Sequence, residues 1–235
     1  MDDIIKEIRE ELTQQIDGKT KATSQNFFKE KIRFYGVRIP IVNKISKDYF
    51  KLIEYRQKSE IFSFCEILWQ SGFLEESFIA CNWSYYLHEK YEPGDFKLFE
   101  KWIKAYVNNW ASCDTLCNHT LGTFIERYPE YLPQLKNMAK SADRLMRRAA
   151  SVSLIIPARK GKFLKEIFEI ADILLLDKDD LVRKGYGWML KAASESHQQE
   201  VFAYVMSKKS VMPRTSLRYA IEKMPKELRE QAMEK

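Results

Sequence analysis

Residues that break helices are scarce in this chain. Among 235 residues there are 8 glycines and 7 prolines, each about 3% of the chain against a usual ~7% and ~5%. Alternating strand patterns are equally scarce, which leaves a helical protein. The four cysteines, Cys65, Cys81, Cys113 and Cys117, have no small-domain disulfide spacing. Cys113, Cys117 and His119 supply three neighbouring candidate ligands, too few for a metal site, and the cysteines read as small buried hydrophobes. His88, His119 and His197 lack triad partners. There is no Gly-rich phosphate loop, HExxH or CxxC motif, so neither a metal nor a cofactor is expected. No apolar run approaches the ~20 residues that span a bilayer. The N-terminal MDDIIKEIREELTQQI is acidic and amphipathic, unlike a signal or transit peptide, and the expectation is a cytoplasmic protein with reduced thiols.

What the chain has in abundance is apolar residues at three- and four-residue spacing, the mark of amphipathic helices. Ile4, Ile5, Ile8 and Leu12 form the buried face of the first. Pro40 is placed for the first turn of another, where its fixed φ suits the helix. FSFCEILWQ, FLEESFIACNWSYYLHEKY and DFKLFEKWIKAYV read as three more, with Pro93-Gly94 separating the last two. Ser196 and Gln199 suggest a capping box for the helix through VFAYVM. Lys and Arg outnumber Asp and Glu by 39 to 33, a formal charge of +6. This excess is compatible with a polyanion partner but does not require one. It is uneven: AKSADRLMRRAASVSLIIPARKGKFLK, ending at Lys165, is far more basic than acidic.

The helices repeat. LMRRAASVSL from Leu145 and LVRKGYGWML from Leu181 align without a gap at a spacing of 36 residues. Arg147 matches Arg183, Arg148 matches Lys184 and Leu154 matches Leu190. FLEESFIACNWSYYL has the same character. A two-helix unit of roughly 35 to 45 residues predicts a HEAT-like array, in which neighbours stack because no unit buries its apolar face alone. The predicted fold is therefore all-α: HEAT-like helical repeats in one domain, 1–235, forming a curved α-solenoid with a concave groove, which the family resemblance given below implies to be basic. Within such an array inner positions recur about once per repeat. Asp114 to Arg148 is 34 residues and Arg148 to Trp188 is 40, intervals that would bring Trp110, Asp114, Arg148 and Trp188 onto one groove.

The stretch NNWASCDTLCNH (108–119) carries the most suggestive pair. Trp110 and Asp114 lie one helical turn apart on one face, an odd couple for a core stripe. Taken singly, Trp110 also fits a core, Asp114 a cap or surface pair, and Arg147 and Arg148 a solvated face. Taken together with FYGVRIP (34–40), MRRAA (146–150), GYGWML (185–190) and PRTSLRYAI (213–221), the chain from Phe27 to Arg218 resembles the HEAT-like-repeat DNA alkylation repair family, the AlkD-type DNA glycosylases. The resemblance implies a monomer that binds duplex DNA and hydrolyses the N-glycosidic bond of cationic alkylpurines such as 3-methyladenine and 7-methylguanine. It implies Asp114 as the catalytic carboxylate. Trp110, Arg148, Trp188 and Phe27 would contact the substrate, with Arg147, Lys184 and Arg218 on the DNA backbone. Two positions depart from the family pattern. Phe27 stands where many relatives carry tyrosine, and Ala111 where many have an aspartate or a bulky residue. Two alternatives stay open: a DNA-binding paralogue without excision, and a helical-repeat scaffold for another protein.

Overall fold

A computed structural model describes residues 2–234. The chain is all-α, and among the described residues the only β-type pairing is an isolated bridge between Arg33 and Phe73. It divides into two compact units, 1–116 and 117–235. No helix of the described residues is long and apolar enough to cross a membrane.

In the first unit, α1 (Asp2–Gln14), α2 (Gly18–Thr23), α3 (Ile39–Lys51), α4 (Lys58–Gln70), α5 (Leu74–Tyr86), α6 (Asp95–Ala105) and α7 (Trp110–Thr115) follow in order. The spacing in α1 works as read: Ile5, Ile8 and Leu12 are buried while Ile4 is half-buried. Pro40 sits in the first turn of α3. Helices α3, α5 and α7 pack side by side as one layer. A second layer is formed by α4 and α6, where the Phe62 ring meets Phe99 and Trp102 edge-on at 5.9 and 5.7 Å. Because α5 is covered from several sides, ten of its residues are buried, including two glutamates and two serines. All four cysteines are free and buried.

The second unit contains α8 (Gly122–Arg127), α9 (Leu132–Met138), α10 (Arg144–Val152), α11 (Ile155–Arg159), α12 (Leu164–Leu174), α13 (Asp180–Ser194), α14 (Gln198–Lys208), α15 (Arg214–Ile221) and α16 (Lys226–Met233). Its repeat is visible bond by bond. Asp143 caps α10 by accepting from Leu145 N, and Asp179 caps α13 by accepting from Leu181 N, both at 2.8 Å. Those caps are also 36 residues apart. Arg147 donates to the Ser141 carbonyl at 3.0 Å and Arg183 to the Asp177 carbonyl at 2.6 Å, again equivalent positions. Helices α10, α13 and α15 pack in sequence, with α9 and α12 against them. This paired, layered stacking is a helical-repeat arrangement, in keeping with the 36-residue spacing.

The two glycines of GYGWML explain how closely α13 is held. A Cβ at Gly185 would meet Ser151 Oγ of α10 at 2.9 Å. A Cβ at Gly187 would meet Tyr219 Cβ of α15 at 2.7 Å and the Ser216 carbonyl at 3.0 Å. Helix backbone and a Cβ fixed to it have little room to move, so Gly187→Ala should cost about 1–3 kcal/mol through overpacking. Urea unfolding should show a lowered midpoint; an unchanged midpoint would mean that α15 moves freely. One cap differs from the sequence reading. Helix α14 has His197 at its N-cap with no side-chain capping bond, so there is no Ser196–Gln199 capping box. Ser196 Oγ instead donates to the Arg159 carbonyl at 2.7 Å, a tertiary bond that outcompetes the local one.

Candidate functional site

Helix α7 is fixed at its start by the residues of NNWAS. Asn109 has extended backbone and its Oδ1 accepts from Ser112 N at 2.9 Å, a side-chain cap. Ser112 Oγ in turn lies 2.8 Å from Ser77 Oγ of α5 and 3.1 Å from Asn109 Nδ2. Cys113 is fully buried beneath the helix. These ties leave Trp110 and Asp114 one turn apart on the opposite face. Trp110 is half-buried. Asp114 is buried, with 9% of its surface exposed. After Thr115 the chain continues as a π-helical stretch, Leu116–Leu121, a form that recurs at functional sites.

Trp110 is anchored as well as presented. Its Nε1–H donates to the Phe27 carbonyl at 3.1 Å, and its ring stacks on Phe28 with centroids 5.6 Å apart. Phe27 itself is 71% exposed. The segment therefore divides its labour: Phe28 supports Trp110, and Phe27 presents a bare ring to solvent. Sequence reasoning singled out Phe27 and passed over Phe28. Beneath them lies a largely apolar cleft of about 290 Å³, walled by Phe27, Phe28, Val37, Ile39, Phe78 and Trp110 among others.

The FYGVRIP loop is held by a pair of buried acids that the sequence reading missed. Glu75 accepts from Tyr35 N, Gly36 N and Val37 N at 3.0, 2.8 and 3.1 Å. Glu76 accepts from the Tyr35 hydroxyl at 2.7 Å and from Arg9 Nη2 at 3.0 Å. Burial, reinforced by this carboxylate, pushes the Tyr35 phenol far above its ordinary pKa. The hydrogen bond to Glu76 raises the Arg9 guanidinium in turn. Gly36 has φ 95°, the left-handed region that favours glycine, and a Cβ there would meet Lys21 Cβ at 2.5 Å.

In the second unit, Arg148 of α10 is only 5% exposed. Its Nη1 donates to the Leu181 carbonyl at the start of α13, and its stem lies over Gly185, where a Cβ would sit 3.4 Å from Cγ. Trp188 is half-buried on α13. Lys184 pairs with Asp180 at 2.7 Å, both side chains about two-fifths exposed, and that bond raises the Lys184 pKa. Arg218 is exposed on α15. Asn118 is buried, and its Oδ1 has no hydrogen-bond partner among the described residues.

Arg147 is engaged by the loops of its own unit. Its Nε and Nη2 donate to Asp177 at 2.6 and 3.3 Å, and its Nη1 to the Ser141 and Ala142 carbonyls at 3.0 and 2.8 Å. A guanidinium has five N–H donors, and this one is engaged with its own loops and its charge neutralised. Arg147→Ala should cost about 2–3 kcal/mol, the range of charge-assisted bonds, read as a lowered urea midpoint. An unchanged midpoint would mean that the loops hold their form without it.

Comparison with known proteins gives two findings. The family model described as "DNA alkylation repair enzyme" matches residues 8–224. A solved structure described as a predicted DNA alkylation repair enzyme from Enterococcus faecalis matches with a TM-score of 0.80 at 17% identity, covering 90% of this chain and 98% of that one. No curated protein matches.

Proposed function

Because the chain belongs to the DNA alkylation repair enzyme family, we propose that it is a DNA glycosylase that excises cationic alkylpurines, 3-methyladenine and 7-methylguanine, from duplex DNA. The observation that carries the reading is Asp114: a carboxylate on a firmly capped helix, 9% exposed, one turn from a presented tryptophan.

The chemistry suits those groups. A purine that already bears a positive charge is a good leaving group, so a strong general acid is unnecessary. As the C–N bond breaks, the base leaves with the bonding electrons and positive charge develops on the deoxyribose. A preorganised carboxylate stabilises that charge at no reorganisation cost. At ~4 Å and an effective dielectric of ~20 the attraction is roughly 4 kcal/mol, on the order of a thousandfold in rate. Asp114 also orients the water that completes hydrolysis. The Trp110 face packs on the sugar and favours its cationic form. Arg148 and Trp188 contact the DNA backbone, Arg148 by charge-assisted hydrogen bonds, with Lys184 and Arg218 adding screened surface attraction. The protein acts as a monomer with neither metal nor cofactor.

A second reading, a family member that binds DNA and excises nothing, is favoured by Phe27, whose exposed ring offers no hydroxyl. Incubating methylated duplex with the protein separates the two. Released 3-methyladenine or 7-methylguanine supports the glycosylase. Salt-sensitive binding with no release supports the second reading.

A further inference from the structure

From Thr13 to Lys31, between the buried Leu12 and Ile32, the first unit runs 19 residues without burying one. The span includes all of α2 and the 3₁₀ turn Ser24–Phe27, neither of which has a buried residue. Its shape comes from local bonds instead. Asp17 Oδ1 accepts from Thr20 N and Thr20 Oγ1, both at 2.7 Å. Gln25 Nε2 donates to the Phe28 and Glu30 carbonyls at 3.3 and 2.7 Å. Such bonds give a segment form without fastening it to a core. Near the start of the span Asp17 N donates to the Gly36 carbonyl at 2.9 Å, and at its end Gln25 Oε1 accepts from Ile32 N at 3.1 Å. Between those ends Trp110 of α7 reaches across, its Nε1–H on the Phe27 carbonyl and its ring on Phe28. Thr20, Ser24, Phe27 and Phe28 make one side of the apolar cleft, and the buried Val37 and Phe78 line it from the core.

We propose that residues 13–31 are a lid, latched by Trp110, that opens and closes over the apolar cleft while the rest of the first unit stays folded. A segment with no share in the core gives up little apolar burial when it swings away. Its opening therefore lies at the low end of the range between local fraying and global unfolding. Closed, the lid supplies the acceptor and the stacked ring that hold Trp110. Open, it frees the indole and gives the cleft an entrance. The lid needs no DNA to move, so its test uses the protein alone. Lys21 N donates to the Asp17 carbonyl, Ser24 N to Thr20 and Phe28 N to Gln25, which makes these three amides reporters of opening. In hydrogen exchange read by NMR they should exchange on the order of a hundredfold faster than the slowest amides of α5, after correction for intrinsic rates. Low urea should hardly change their rates, because little surface is exposed on opening. W110F keeps an aromatic ring but loses the N–H, and should speed the three amides about two- to tenfold, the equivalent of one hydrogen bond. F62L, in the α4–α6 layer, should speed α5 about tenfold and leave the three amides unchanged, since the lid opens with that layer intact. Reporter amides that match α5 in rate and urea dependence, or that F62L speeds as much as α5, overturn the lid. Reporter rates unchanged in W110F overturn the latch.

Discussion

Asp114→Asn should reduce the release of 3-methyladenine from methylated duplex by about a thousandfold under single-turnover conditions, the rate equivalent of losing roughly 4 kcal/mol of charge stabilisation. Asparagine keeps the shape and one acceptor oxygen, while the negative charge is lost and the second oxygen becomes an NH2 donor. Binding of undamaged duplex should stay within a factor of about three, because an anion repels phosphates and its loss cannot weaken the grip. The position makes the comparison clean. α7 is capped by Asn109, tied to α5 through Ser112 and Ser77, and seated on a fully buried Cys113, ties that the variant leaves in place. A variant that retains even a tenth of the wild-type rate would mean that another group stabilises the sugar.

The second large effect belongs to stability. Glu75→Ala should destabilise the protein by about 3–5 kcal/mol, since a charged acceptor disappears and three backbone donors lose their partner. At two to four degrees per kcal/mol for a chain of this size, the melting temperature should fall by about ten degrees. The donors are Tyr35, Gly36 and Val37, so the FYGVRIP loop should also become accessible to protease before the rest unfolds. Glu75→Gln should recover only part of the loss: its amide oxygen accepts, but its NH2 group faces N–H donors. If Glu75→Ala melts within two degrees of the wild type, the loop is held by something else.

Much of the fold is legible along the chain because helical repeats are local objects. The 36-residue spacing of LMRRAASVSL and LVRKGYGWML marks two helices whose caps, Asp143 and Asp179, repeat at the same interval and were there to be read. Pro93-Gly94 separates α5 from α6 as expected. What escaped notice depends on partners far away in sequence. Glu75 and Glu76 look like the solvent face of α5; only the return of residues 35–37 and Arg9 makes them buried acceptors. The partner of Arg147, Asp177, lies thirty residues on, and no local pattern pairs the two. Ser196 fits a capping box locally, yet bonds to Arg159 instead. Phe27 and Phe28 are indistinguishable by pattern, and the Trp110 ring decides between them. The π-helical turn after α7 left no mark that periodicity could detect.

Charge at the breaking bond is what the proposed chemistry requires. Two duplexes, alike except that the damaged purine is cationic in one and a neutral isostere in the other, should be compared for base release in single-turnover assays. Release from the cationic duplex alone, at a rate that depends on Asp114, is the predicted result. Equal release from both, or none from either, would contradict it.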